Sequence, residues 1–248
     1  MSAVLVDRSA WDAHHAWVRA GWWTLALLLV CPRASGASGG PAIEGTVTIL
    51  DRDGKPKPQH DGVVVFLDEL EHPVDVPAPT AHAAVRQRNK TFEPEVLSIV
   101  AGTTVDFPND DTIYHNVFSL SKAKPFDLGI YEQKASRSVT FDRPGLVKVY
   151  CNIHPNMVAY VLVLANPHFT VTDPRGHFTI PDVPLGAATV RSWYARSREQ
   201  PERKVIVTAQ GIQNLDFSMV EGLRLEIREE NVSLQHKNKL GQDYPDTY

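Results

Sequence analysis

The sequence predicts an all-β protein, and two observations carry that prediction. Short runs rich in Val, Ile, Thr and Phe recur along the chain, several alternating apolar and polar residues at the period of a strand with one buried face. Between them stand 18 prolines and 15 glycines, spaced as turns are spaced. The bulk composition agrees. With 43% apolar and 22% charged residues over 248 positions, the chain has an ordinary globular balance and length for one or two domains. A largely disordered chain, a fibrous repeat and a multi-span membrane protein are excluded. The formal charge is −4 and no basic run stands out, so no nucleic acid is expected as a partner.

Residues 1–37 read as an export signal. Arg8 and Arg19 precede the apolar run 21–30, and Ala34, Ser35, Gly36 and Ala37 offer a cleavage site after Ala37. That run is too short to cross a hydrocarbon core of roughly 30 Å. The expected location is therefore periplasmic or secreted, with no membrane span in the mature chain. Lipidation at Cys31 and an uncleaved anchor remain as alternatives, and the long stretch before the apolar run leaves a later start codon open. Cleavage removes three basic and two acidic groups, which moves the formal charge to −5, and it removes Cys31. Cys151 is then alone in an oxidising compartment, where a free thiol requires burial or a metal.

Strands are expected over 43–50, after which Asp51-Arg52-Asp53-Gly54 turns the chain, and over 63–67. Residues 68–90, with Pro73, Pro77 and Pro79, read as a surface excursion. Strands follow over 96–100, 103–107, 115–120, 137–141 and 146–151. Thr103, Val105 and Phe107 share a face, as do Val147, Val149 and Cys151. The run 157–164 is apolar throughout, as a strand buried on both sides must be. After Pro167 the chain offers a hairpin over 169–180 around Asp173-Pro174-Arg175-Gly176, then strands over 188–194, 204–208 and 214–219, with a last one over 223–227. Short, evenly spaced strands of this kind build sandwiches or barrels. The end of the chain, 222–248, reads as a tail, polar from Glu229 to Tyr248.

The chemistry lies in Tyr150-Cys151-Asn152-Ile153-His154-Pro155-Asn156-Met157, on the connection between two strong strands. His115 opens another strand at an inward position, 36 residues before Cys151. Taken singly, a buried Cys or Met is packing and a His at a strand end is a surface group. Together they offer one soft thiolate, two imidazoles and a weak thioether, a set suited to copper moving between Cu(I) and Cu(II). Zinc gains little from a thioether, and an iron–sulfur cluster needs more cysteines.

The stretch 92–164 resembles the cupredoxins, or blue copper proteins, of the amicyanin, pseudoazurin and plastocyanin type. The resemblance rests on Cys151-x₂-His154-x₂-Met157, His115-Asn116-Val117, the strand 102–107 and Phe92-Glu93-Pro94. It implies a Greek-key β-sandwich and one mononuclear type 1 copper held by His115, Cys151, His154 and Met157. It also implies that the Asn116 amide ties the two ligand segments together and donates toward the Cys151 sulfur, and that Pro155 stiffens the loop beside His154. Residues 170–219 are similar to a smaller carboxypeptidase-regulatory or transthyretin-like sandwich, through Thr172–Ile180 and Val183-Pro184-Leu185-Gly186. The stretch 45–56 with 63–67 looks like the start of that fold. The expected organisation is a copper domain over 85–165 inserted into a split sandwich of 41–70 and 167–221. The alternative assigns 41–165 to the copper domain and 167–221 to the second module. The arrangement as a whole is similar to exported methylamine-utilisation-type proteins.

The expected function is one-electron transfer without catalysis. The chain lacks His-x-His pairs for a copper cluster and has one cysteine where a binuclear centre needs two. His60, His72, His82, His168, His177 and His236 are scattered and read as solvated. The partners implied are redox proteins, a dehydrogenase or a c-type cytochrome. Two other functions stay open: non-redox copper binding or delivery, and a β-sandwich interaction protein with a vestigial site.

Overall fold

The computed structural model describes residues 39–222. The export signal and the strand expected over 223–227 lie outside them. All regular structure among the described residues is β. No described helix is long and apolar enough to cross a membrane.

The first sheet pair surrounds the copper-type motif. One sheet has five strands in the order β6 (Val96–Val100), β12 (Val158–Leu164), β11 (Gly145–Tyr150), β8 (His115–Ser119) and β9 (Phe126–Tyr131). Opposite lie β10 (Ser136–Phe141), β7 (Thr103–Pro108) and β3 (Ala83–Ala84). Alternation decides which side chains meet between the sheets. Val105 and Phe107 from β7, Val139 and Phe141 from β10, Val147 and Val149 from β11, and Ala159, Val161 and Val163 from β12 form one buried core, joined by Cys151 and Met157. Each fully buried Val or Phe in it is worth about 1.5–3 kcal/mol of transfer free energy.

The second sheet pair is built from both ends of the described chain. β1 (Ile43–Leu50) lies between β14 (His177–Ile180) and β17 (Phe217–Val220), with Val47 opposite Phe217. β2 (Val64–Asp68) lies between β13 (Phe169–Val171) and β15 (Gly186–Trp193), with Val65 opposite Ser192, and β16 (Glu202–Val207) closes the edge. Val47, Ile49, Val65, Leu67, Phe178, Val190 and Phe217 fill the space between. Gly176 makes the β13–β14 turn close: its φ is +83°, and a Cβ there would sit 2.1 Å from the Val47 carbonyl oxygen.

The two pairs meet through strands that are apolar on both faces. The inward residues of β12 belong to the first core, while Tyr160, Leu162 and Leu164 point outward onto Val64 and Trp193 of β2 and β15. The Tyr160 and Trp193 rings lie 5.6 Å apart. This is why 158–164 shows no alternation in sequence.

Two parts of the first pair differ from the sequence expectation. The stretch 83–93, partly within the expected excursion, contains β3 and the hairpin β4 (Arg86–Arg88) with β5 (Thr91–Glu93). Val85 and Phe92 of this stretch join the first core, but the inward residue of β4 is polar: Gln87 is fully buried and donates to the Phe107 carbonyl and the Tyr131 hydroxyl. β9 also occupies a stretch with no expected strand.

Candidate metal centre

Register brings the two halves of the motif together. β11 runs antiparallel to β8 with Tyr150 opposite Phe118, so the chain leaving β11 passes beside the start of β8. His115 is the first residue of β8 and has no exposed surface. Cys151 directly follows β11 and is buried. The connection then turns back, with the Met157 N–H donating to the His154 carbonyl at 3.0 Å, and enters β12.

The three strong donors converge. Cys151 Sγ lies 3.9 Å from His115 Nδ1 and 3.9 Å from His154 Nδ1, and the two Nδ1 atoms are 3.1 Å apart. A triangle with these sides has its centre about 2.1 Å from every corner, which matches metal–nitrogen bonds of 2.0–2.1 Å and approaches the 2.3 Å of a metal–sulfur bond. His115, Cys151 and His154 are also the one group of this kind among the described residues. The donors therefore fit a single first-row ion, and their chemistry, one thiolate and two imidazoles, fits copper. Met157 has no exposed surface and lies in the same core cluster as Cys151.

The electrostatics follow from burial. Burial pushes the Cys151 thiol above its ordinary value, partly offset by backbone N–H groups of Asn116, His154 and Ile153 that favour the thiolate. Burial holds half-buried His154 below the ordinary imidazole value, and the neighbouring His115 ring and the Lys90 ammonium act the same way against the opposing Asp111 carboxylate, so its ring is neutral around pH 7.

Asn116 links the ligand segments differently from what its resemblance implies. Its side-chain oxygen accepts from the Asn152 N–H at 3.3 Å, and its amide donates to Asp127 at 2.9 Å. Donation toward the Cys151 sulfur comes from its backbone N–H. Pro155 follows His154 at a half-buried position. Of the other histidines, His60 accepts from the Ile49 N–H at 3.0 Å and His82 pairs with Asp106 at 3.0 Å. His168 is half-buried, His72 and His177 are exposed, and His236 lies outside the described residues.

Sequence reasoning missed Asp111. His115 Nε2 lies 2.7 Å from its Oδ2, and Asp111 also accepts the N–H groups of Asn89 at 2.6 Å and Lys90 at 2.9 Å. Burial alone would raise this carboxyl, but the Lys90, His115 and Asn89 hydrogen bonds outweigh it and hold it below the usual carboxylate range. The only signal in the sequence is an acid four residues before a His, hidden in a Pro-Asn-Asp-Asp turn.

No family model matches the chain, and no curated protein matches it. Parts of the chain are similar to solved cupredoxin structures. A purple cupredoxin from Nitrosopumilus maritimus is 28% identical over 33% of this chain and 99% of its own length, with a TM-score of 0.31. A copper-containing nitrite reductase from Thermus scotoductus SA-01 is 28% identical over 38% of this chain and 25% of its own, at 0.33. An oxidised amicyanin variant is 22% identical over 34% of this chain and 84% of its own, at 0.32.

Proposed function

We propose that this protein is an exported one-electron carrier with a mononuclear type 1 copper, and not an enzyme. The observation that carries the reading is the donor triangle, which has metal-bonding dimensions with its ligands set by two strands and a short connection. Copper bound there supplies a one-electron couple between Cu(I) and Cu(II). His115 and Cys151 hold their positions because both are packed into the core wall, so little rearrangement accompanies a change of charge. Met157 is assigned as the weak fourth donor from its place in the connection and its complete burial. His154, half-buried where His115 and Cys151 are buried, is the ligand through which an electron enters or leaves. The partners are redox proteins, a dehydrogenase or a c-type cytochrome, in the periplasm or outside the cell.

The test is a visible and EPR spectrum of the copper-loaded protein followed by titration with reductant. The expected result is an intense blue absorption that disappears on reduction and is lost in Cys151→Ser. Exchangeable Cu(I) with no stable blue form would instead indicate delivery, and a protein that takes up no copper a vestigial site.

A further inference from the structure

We propose that Asp111 is the positioning residue of this centre: its carboxylate fixes the tautomer and aim of His115, and the tip of the β4–β5 hairpin fixes the carboxylate. In its metal-affinity arm the proposal rests on the copper reading above; in its tautomer arm it does not.

The connectivity admits one proton arrangement. An ionised carboxylate only accepts hydrogen bonds. With Asp111 Oδ2 at 2.7 Å, His115 Nε2 must carry the proton. In a neutral ring Nδ1 then has a bare lone pair, and Nδ1 is the atom 3.9 Å from the Cys151 sulfur and 3.1 Å from His154 Nδ1. A histidine that donates its outer N–H to a carboxylate is held in orientation and made a stronger donor.

Asp111 is held from two sides. Its oxygens receive the N–H groups of Asn89 and Lys90, and its own N–H donates to Asn109 Oδ1 at 3.0 Å. Asn109 is fully buried, and its amide is tied to the carbonyls of Ile113 and Tyr131. Asn89 and Lys90 have φ of 52° and 57°, the left-handed pair of a two-residue hairpin turn. Lysine is an unfavourable choice there, yet this conformation presents both N–H groups to one carboxylate. The neighbouring Asp110 serves differently, pairing with Arg86 at 3.1 Å and Arg88 at 3.6 Å.

An asparagine at 111 cannot satisfy three donors. If its oxygen faces His115 and Lys90, its NH₂ opposes the Asn89 N–H. If its NH₂ faces His115, the imidazole must move its proton to Nδ1, which closes the donor triangle.

The experiment uses the full chain. Nitrogen NMR reads the His115 tautomer in the metal-free protein, and chelator competition reads Cu(I) affinity, for the unmodified protein, Asp111→Asn and Asp110→Asn. The expected result is the Nε2–H tautomer in the unmodified protein, a shifted tautomer and about 10–100-fold weaker Cu(I) binding in Asp111→Asn, and no change in Asp110→Asn. An Nδ1–H tautomer in the unmodified protein overturns the proposal, and this measurement decides even if Asp111→Asn does not fold. Equal losses in the two variants, or none in Asp111→Asn, overturn it too. If the unmodified protein takes up no Cu(I) while Asp111→Asn shifts the tautomer, the positioning role stands and the copper reading falls.

Discussion

Binding of Cu(I) to the metal-free protein should release a proton that comes from Cys151. Burial holds the thiol above its ordinary value of 9.0, so it is protonated between pH 7 and 8, whereas only the thiolate is a ligand. His154, held below 6.5 by burial, has no second proton to release in that range. One proton per metal makes the apparent affinity about tenfold tighter for each pH unit, or about 1.4 kcal/mol. Chelator competition at pH 7 and pH 8 measures this directly. The same free energy appears in thermal unfolding: metal at 100 times its dissociation constant adds about 2.7 kcal/mol. At about 2–4 °C per kcal/mol for a chain of this size, Tm should rise by about 5–11 °C. Affinity that does not change between pH 7 and 8 would refute the reasoning, because it would mean that no buried thiol is ionised on binding. Cys151→Ser should lose both the pH slope and the Tm shift.

Three other outcomes follow from the same structure. The metal-free protein should lose stability as pH falls below about 6.5, because the unfolded chain protonates His154 at its ordinary value while the folded chain resists. Tm measured from pH 7.5 to 5 should show this decline, and His154→Ala should flatten it. Trp193→Ala, which removes the ring packed 5.6 Å from Tyr160, should cost about 3–5 kcal/mol in denaturant unfolding and speed hydrogen exchange in β12. Gly176→Ala, at φ +83° and with its Cβ 2.1 Å from the Val47 carbonyl oxygen, should destabilise by more than about 1 kcal/mol in the same assay.

The strands that were legible in sequence are those in which burial and polarity agree. Val105 and Phe107, or Val147 and Val149, alternate with residues of other character, and their inward positions can be read off the chain. β12 was legible for the opposite reason, since a strand pressed between two cores has no polar face to show. β4 was not, because its buried residue is Gln87, whose burial is sustained by two hydrogen bonds that local sequence does not reveal. β9 was masked by Gly129, at φ 66°, in the middle of Phe126–Tyr131. At the candidate metal centre, Cys151 and His154 share one short connection, and that spacing is visible. Asp111 was not, because an acid in a turn needs no special explanation until the turn is seen against His115. Which atoms of Asn116 do the tying was hidden for a related reason: the Asp127 carboxylate, brought across by β9, takes its NH₂, so the side-chain oxygen reaches Asn152 and the backbone N–H faces the Cys151 sulfur.

X-ray absorption at the copper edge tests the central claim most directly. A carrier with a preset donor set predicts one sulfur and two nitrogens at about 2.0–2.3 Å in the oxidised protein, with nearly the same shell after reduction. A shell without sulfur, or one that exchanges its nitrogens for other ligands on reduction, would contradict it.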